Sequence, residues 1–253
     1  MHRLFAHLSG AWLRLLEPVC VRCRLPAGSG LCPACVDALH AFAVPAAAAD
    51  DPAPVRANLC WSPACAPLLR RYKFHGDLAA GAALARLALP GLRTMPRPDL
   101  LVPVPLHPAR LRRRGHDQAL ELARLWGRGL GLPVAAGALR RVFDSRPQTG
   151  LSAAERRRNL LGAFVARAGL PSAIALVDDV LSTGSTVRAA AAALRAGGVG
   201  DLQVWVLARA PGRGGPGGAG SDREQVLHEH TAEQGGTHGL VGLEGAKTIG
   251  GMA

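Results

Sequence analysis

The chain has 253 residues, 49% of them apolar, and a formal net charge of +12 at pH 7. This length and apolar content predict a globular body with a sizeable buried core. They exclude a membrane-spanning protein, since no apolar stretch approaches the roughly 20 residues that a transmembrane helix needs. The N-terminal segment MHRLFAHLSGAWLRLLEP is interrupted by Arg14 and has no small-residue cleavage site, so it predicts an amphipathic helix and not a signal peptide. We therefore expect no membrane insertion and a cytoplasmic location.

Arginine carries almost all of the positive charge, because Lys73 and Lys247 are the only lysines. A surface rich in guanidinium groups favours contact with the phosphates of nucleotides, sugar phosphates or nucleic acids. A solvated basic surface without a partner is the alternative.

Composition divides the chain into four stretches. Residues 1–44 hold the predicted helix and a cluster of cysteines, and residues 45–58 are rich in Pro and Ala, which predicts a linker. Residues 59–211 alternate apolar runs with helical patterns and form the main predicted domain. Residues 212–253 are so rich in glycine that burial cannot offset the entropy lost on ordering, so we expect a disordered tail.

The segment CVRCRLPAGSGLCPAC contains four cysteines with the spacing C-x2-C-x8-C-x2-C. Each C-x2-C turn can direct two thiolates at one point, and two such turns supply the four ligands of a tetrahedral zinc site. Because protein fills all four positions, the predicted zinc is structural. Two disulfides and a redox or iron–sulfur role are the alternatives, although a reducing compartment disfavours disulfides. The predicted ligands are Cys20, Cys23, Cys32 and Cys35, whereas Cys60 and Cys65 are interpreted as ordinary core residues.

The segment DLLVPVPLHPARLRRRGHDQALELARLW predicts a short strand at about 100–104, a loop, and a helix from about residue 117. Open α/β sheets bind ligands beyond the carboxyl ends of their strands, so the arginines of this loop are candidates for binding an anion. A solvated run of charges is the alternative. These arginines are Arg110, Arg112, Arg113 and Arg114.

A second arginine cluster follows in SRPQTGLSAAERRRNLLGAF. Ser152 and Glu155 have the spacing of a capping box, which predicts a helix that begins at Ser152 and carries three arginines, the first of them Arg156. Cations in the first turns oppose the helix dipole, which favours an anion nearby. The irregular residues 146–149 predict a mobile loop before this helix.

The segment AIALVDDVLSTGSTV combines an apolar run, two adjacent aspartates and a turn rich in Ser, Thr and Gly. The apolar run predicts a buried parallel strand, and residues 185–195 predict a helix that ends before two glycines. Asp178 and Asp179 then lie in the turn between strand and helix, where their mutual repulsion requires a cation or a hydroxyl-rich ligand. Amides at the helix N-terminus favour a phosphate. A solvated helix start is the alternative for the acidic pair taken alone.

Taken in order, these motifs resemble those of the ComF family, whose members have the fold of type I phosphoribosyltransferases. The resemblance covers residues 1 to about 210 and rests on the four-cysteine cluster, YKFHGD, VPVPLHPARLRRRGHDQA, RPQTGLSAAERRRNLLGAF and LVDDVLSTGSTV. It implies an α/β fold with a mostly parallel sheet, helices on both faces of the sheet and a small N-terminal zinc module. The implied ligand is phosphoribosyl pyrophosphate (PRPP) with Mg²⁺, or a nucleoside monophosphate.

The resemblance also implies roles for individual residues. The acidic pair Asp178–Asp179 faces the hydroxyls of the ribose. The turn after it holds the 5′-phosphate through Ser182, Thr183, Gly184, Ser185 and Thr186. The pyrophosphate lies near the loop 106–114 and a closing loop at 146–158, in which the residues singled out are His107, Arg114, Arg146 and Arg156.

Two functions agree with this resemblance. The first is an enzyme that transfers or hydrolyses the phosphoribosyl group of PRPP with Mg²⁺ and is linked to DNA uptake. The second is a non-catalytic protein that keeps the fold, binds single-stranded DNA through its basic loops and acts with the competence machinery. Aromatic residues form only 4% of the chain, so base-stacking surfaces are expected to be scarce. The sequence identifies no general base and no acceptor nucleophile.

Overall fold

The computed structural model describes residues 18–28, 30–142 and 162–211, with the side chain of Arg113 excepted. The predicted N-terminal helix, Arg146, the helix expected from Ser152, Arg156 and the tail at 212–253 lie outside the described residues. The elements of the described part are α1 (Pro33–His40), β1 (Val55–Cys60), α2 (Ala66–His75), α3 (Leu78–Leu92), β2 (Leu100–Pro103), α4 (Pro108–Arg114), α5 (Gln118–Leu130), β3 (Leu139–Arg141), β4 (Phe164–Ala166), β5 (Ala173–Leu181), α6 (Ser185–Ala196) and β6 (Asp201–Arg209).

Four strands form the main sheet in the order β1-β6-β5-β2, and all three pairings are parallel. The two central strands are nearly continuous apolar runs, as expected for strands covered on both faces. Strands β3 and β4 form a separate antiparallel pair. The predicted α/β fold with a mostly parallel sheet is confirmed.

Helices cover both faces of the sheet, as predicted. Alternate residues of β5 divide between two hydrophobic cores: Val177 packs into one core with side chains of α2, α3 and α5, and Leu176 packs into the other with side chains of α6 and the β3–β4 pair. Trp126 of α5 and Leu194 of α6 are fully buried on the two opposite sides. Among the described residues, none of the helices combines the length and the apolar character needed to cross a bilayer.

The cysteine module (residues 18–40) packs into the first of these cores. Cys20, Cys35 and Leu39 are buried in the same cluster as Leu68 and Tyr72 of α2. A hydrogen bond also joins the module to α2: Arg71 Nη1 donates to the carbonyl oxygen of Val21 at 2.7 Å. The module is therefore bonded to the helix that carries Lys73.

The expected linker at 45–58 differs from the structure at its C-terminal end. Strand β1 begins at Val55 and pairs in register with β6, so the last four residues of that stretch belong to the sheet. Only the last two residues of β1 are buried, which explains why its mixed sequence VRANLC gave no strand signal. The residues before β1 are also bonded to the sheet, because Asp51 accepts hydrogen bonds from the two terminal guanidinium nitrogens of Arg209 in β6, at 2.8 and 3.0 Å.

Replacing Asp51 by Ala is expected to lower the free energy of unfolding by about 3 kcal/mol, because removing one partner of a buried ion pair leaves the other charge uncompensated. The side chains of Arg209 and Asp51 are only 10% and 9% exposed. Asp50 offers a matched control: it pairs with Arg188, but its own side chain is 69% exposed. Asp50→Ala should cost less than about 1 kcal/mol. Urea denaturation of both variants measures the difference, and equal effects would contradict the prediction.

The arginine-rich segment after β2 is a short helix, α4, and not the predicted loop. His107 caps it, since its Nδ1 accepts from the amide of Ala109 at 3.3 Å, and Pro108 occupies the first turn, where a missing N–H costs nothing. Gly115 ends the helix with a φ of 77°. The next helix, α5, begins at Gln118, close to the predicted position.

Candidate functional site

The acidic pair lies within β5, near its carboxyl end. The sequence placed Asp178 and Asp179 in the turn, but pairing with β6 continues through Leu181, so the strand extends past both aspartates. Asp179 is 6% exposed and Asp178 is partly buried. Each carboxylate accepts from the next residue's amide at 2.8 Å: Asp178 from Asp179, and Asp179 from Val180. Two carboxylates therefore sit at the edge of the sheet where parallel strands present ligands.

Lys73 is the cation that the acidic pair requires. Its Nζ lies 3.2 Å from Oδ2 and 3.4 Å from Oδ1 of Asp179, and its side chain is only 22% exposed. Lys73 is one of only two lysines in the chain, and its sequence context gave it no role. The sequence of the acidic pair predicts that a cation lies nearby. The residue that supplies this cation is far away in the chain, on α2.

One ammonium does not neutralise both carboxylates. Burial raises the pKa of Asp178 above the ordinary carboxyl range, and the charge of Asp179 raises it further, whereas Lys73 lowers it. Asp117 is a third carboxyl group, and the charge of Asp179 acts on it as well. Burial and the charge of Asp179 raise its pKa, while the amides of Leu120 and Leu106 that donate to it act in the opposite direction. These shifts favour the protonated form of Asp178, and a second cation at the site would favour its charged form again.

The turn from Ser182 to Gly184 leads from the acidic pair into α6. Gly184 has a φ of 69°, in the left-handed region that favours glycine, and no side chain caps the helix. The amides of the first turn of α6 are therefore not satisfied by a side-chain cap. Two hydroxyls adjoin them, with Thr183 Oγ1 and Ser185 Oγ 3.1 Å apart. Arg188 of α6 donates to the carbonyl oxygen of Thr183, and this hydrogen bond holds the turn against the helix.

The segment after β2 lies at the same edge of the sheet, because β2 pairs with β5 in parallel. His107 follows β2 and caps α4. Arg114 ends α4; its Nη1 lies 3.5 Å from Gln118 Oε1, and its guanidinium carbon lies 5.2 Å from the ring centroid of Phe74. The structure therefore places Arg114 against α2 and α5. The other two arginines singled out, Arg146 and Arg156, lie outside the described residues.

Contacts from α5 hold the last turn of α2 in place. Gln118 Nε2 donates to the carbonyl oxygen of Lys73 at 3.0 Å, and the Tyr72 hydroxyl donates to the carbonyl oxygen of Gln118 at 2.7 Å. His116 Nε2 lies 2.9 Å from the carbonyl oxygen of Tyr72. These contacts join two segments of the chain that are 44 to 46 residues apart and had no local signal, and together they fix the backbone that presents Lys73 to Asp179.

The four predicted cysteine ligands converge in space. Their Sγ atoms all lie within 4.8 Å of one another, and those of Cys23 and Cys32 are 3.6 Å apart. A zinc ion with bonds of about 2.3 Å to four thiolates requires sulfurs separated by about 3.8 Å. A disulfide requires about 2.0 Å, and all four cysteines are free. This arrangement fits a tetrahedral zinc ion and not two disulfides.

The surroundings of the cysteine cluster act differently on two of its thiols: they lower the pKa of Cys20, whereas burial raises the pKa of Cys35 to about 12. Burial raises the pKa of the Cys20 thiol, but hydrogen bonds from the backbone around Cys23, Cys32 and Arg22 outweigh it and lower the pKa overall. Arg22 Nη1 lies 3.6 Å from Cys35 Sγ and places a positive charge beside the four sulfurs. A tetrathiolate zinc site carries net negative charge, so this guanidinium is a stabilising neighbour.

Several proteins of known name are similar to this chain, although no protein-family model matches it. Competence protein F of Haemophilus influenzae is 40% identical over 153 residues, which are 56% of this chain and 67% of that protein. DNA utilization protein YhgH of Escherichia coli K12 is 37% identical over 158 residues, 59% of this chain and 69% of that protein. Competence protein ComFC of Streptococcus pneumoniae is 27% identical over 159 residues, 61% of this chain and 67% of that protein. On these similarities and its four-cysteine cluster, the chain belongs to the ComF family of competence and DNA utilization proteins.

Proposed function

We propose that this protein binds PRPP with Mg²⁺ at the carboxyl end of β5 and transfers or hydrolyses its phosphoribosyl group in a process linked to DNA uptake. The observation that carries the proposal is the acidic pair in β5, followed directly by an uncapped helix N-terminus rich in hydroxyls. The names of the relatives supply the link to competence and DNA utilization.

Different groups of the chain bind different parts of the ligand. Asp178 and Asp179 accept hydrogen bonds from the ribose hydroxyls, which are charge-assisted and strong. The turn receives the 5′-phosphate on the amides of the first turn of α6, where the helix dipole favours an anion. The hydroxyls of the turn donate to the same phosphate from Ser182, Thr183, Ser185 and Thr186, and Gly184 permits the close approach.

The donors present fit magnesium, because carboxylate oxygens are its preferred protein ligands and Lys73 pairs with only one of the two carboxylates. A bound Mg²⁺ would supply positive charge that offsets the negative charge of the pyrophosphate leaving group. His107, which follows β2, supplies a further donor group on the pyrophosphate side. The resemblance assigns Arg114, at the end of α4, to the same side. Arg146 and Arg156 are assigned to a closing loop by the resemblance.

The cysteine module is proposed to hold one structural Zn²⁺ through Cys20, Cys23, Cys32 and Cys35. All four positions of a tetrahedron are taken by sulfur, so this ion has no open site for substrate. Its role is to stabilise the module against α2.

Binding of single-stranded DNA is a second candidate function. The relatives named DNA utilization proteins favour it, and so does α4, which carries Arg110 and the exposed Arg112 beside the candidate site. Arginines that neutralise backbone phosphates would release the counterions condensed on the DNA, so the affinity should fall steeply with salt. This function does not require catalysis and does not exclude it.

Calorimetric titration tests the main proposal. Zinc-loaded protein is titrated with PRPP, with ribose 5-phosphate and with pyrophosphate, each with Mg²⁺ and each in buffer from which Mg²⁺ is omitted. We expect PRPP to bind in the presence of Mg²⁺ and to bind much more weakly without it. Release of pyrophosphate from bound PRPP, with and without added nucleobases, then separates transfer from hydrolysis. Folded protein that binds no PRPP with Mg²⁺ would contradict the proposal.

A further inference from the structure

We propose that Phe74 and Arg114 form a stacking site for a nucleobase beside the acidic pair, the base belonging either to a nucleotide or to single-stranded DNA. The inference rests on the proposed function, because a nucleobase that accepts the phosphoribosyl group, or a base of a bound strand, would meet the protein beside the sugar. It extends that function by naming the residues that meet the base.

Phe74 is an exposed ring, whereas five of the seven aromatic residues in the described part of the chain are buried. In the described part of the chain, three arginines lie over aromatic rings. Two of those rings, Trp61 and Phe164, are only 7% and 5% exposed, whereas Phe74 is 38% exposed. Of these three cation–π pairs, only that of Phe74 leaves substantial ring surface open to solvent.

The chemistry of this pair suits a nucleobase. The guanidinium carbon of Arg114 lies 5.2 Å from the centroid of the Phe74 ring, within the cation–π range of about 6 Å. Aromatic rings and the planar guanidinium are the two kinds of side-chain surface on which bases stack. A basic surface next to an aromatic ring is also the combination by which proteins bind single strands.

The pair is linked to the candidate sugar site through Lys73 and Gln118. Phe74 follows Lys73, whose ammonium lies 3.2 Å from Asp179. Arg114 approaches Gln118, and Gln118 donates to the carbonyl oxygen of Lys73 at 3.0 Å. These contacts join the stacking pair to the carboxylates, so the pair is a candidate to meet the base of a ligand whose ribose lies at Asp179.

The test compares Phe74→Leu with Phe42→Leu, a matched loss of an aromatic that is 42% exposed and lies in the segment after α1. Four probes are titrated: adenosine monophosphate, a short oligothymidylate, an abasic strand of the same length, and PRPP with Mg²⁺. We expect Phe74→Leu to weaken binding of one or both base-bearing probes about tenfold or more. Binding of PRPP and of the abasic strand should stay unchanged, and Phe42→Leu should bind all four probes as the unmodified protein does.

A second variant gives a direct optical readout. In Phe74→Trp the added indole should be quenched when the base-bearing probe is added and not when the abasic strand is added. Loss confined to the nucleotide identifies a nucleotide base, and loss confined to the oligothymidylate identifies DNA. Unchanged affinity of Phe74→Leu for both base-bearing probes, or failure of the unmodified protein to bind either, overturns the inference. An equal loss for all four probes also overturns it. Failure of the unmodified protein to bind PRPP counts instead against the proposed function.

Discussion

Replacing Asp178 and Asp179 together by asparagine is expected to abolish detectable binding of PRPP with Mg²⁺ while the protein remains folded. Asparagine keeps the size of the side chain but removes the charge that accepts strongly from ribose hydroxyls and attracts the metal ion. Each charge-assisted hydrogen bond contributes about 1.5–3 kcal/mol, so the loss of several should weaken binding more than a hundredfold. Calorimetric titration with PRPP and Mg²⁺ measures the change.

Asp201 provides the matched control, since it is an exposed aspartate at the start of β6. Asp201→Asn should bind PRPP as the unmodified protein does. Binding of single-stranded DNA should persist in the double variant, because it depends on arginines and not on the acidic pair. An unchanged affinity of the double variant for PRPP would show that the carboxylates do not hold the ligand.

The two aspartates should differ in their effect on stability. The pKa of Asp178 is raised in the folded protein, so the folded state loses stability as the pH rises from the ordinary carboxyl pKa, near 3.8, toward the raised value. Asp178→Asn removes this loss, and its melting temperature should exceed that of the unmodified protein increasingly across that range of pH. Asp179→Asn also removes the partner of the largely buried Lys73, which offsets any gain. Melting curves at several pH values distinguish the two variants; a stabilisation by Asp178→Asn that does not grow with pH would contradict this account.

Loss of zinc is expected to unfold the cysteine module and to loosen α2. Metal binding contributes roughly 10 kcal/mol or more to the folding of such small modules. Because Cys20 and Cys35 are buried in the same core as Tyr72, and Arg71 bonds to the module, the damage should reach α2. We expect the Cys23→Ser/Cys35→Ser variant to lose zinc, to melt at a lower temperature, and to lose hydrogen-exchange protection in residues 18–40 first and α2 next.

Cys60→Ser is the control for this experiment, since Cys60 is a buried cysteine outside the cluster. It should retain one zinc ion per chain by elemental analysis. Strand β6 should keep its exchange protection in both variants, because it lies in the centre of the sheet. Purified protein without zinc, or zinc retained by the double variant, would contradict the assignment of the ligands.

The parts of the fold that the sequence predicted well are those with local signals. Strand β5 is a continuous apolar run, and α5 begins at its Asp117 cap. Helix α4 was missed because its charged sequence has no apolar periodicity, and its actual signals were Pro108 in the first turn and the His107 cap. Strand β1 was missed because an edge strand with two buried residues carries almost no hydrophobic pattern.

The site divides in the same way. The cysteine spacing and the acidic pair are local motifs, and both were read from sequence. The contact between Lys73 and Asp179 spans 106 residues, and that between Asp51 and Arg209 spans 158 residues. Nothing local in the sequence marks which distant charge will meet which. The requirement for a cation could be inferred, but the residue that supplies it depends on how α2 packs against the sheet.

The position of β6 bears on how the protein acquires its fold during synthesis. This late strand lies between β1 and β5, and Val55 of β1 pairs with Val204 of β6. As the chain leaves the ribosome, the backbone groups of β1 that pair with β6 therefore have no partner strand until β6 has been synthesised. Strand pairings between residues so distant in sequence form slowly, and the partly folded intermediates are prone to aggregate. A nascent chain stopped before β6 would lose the strand that joins β1 to β5, so completion of the sheet is expected to be a late event that depends on chaperone protection.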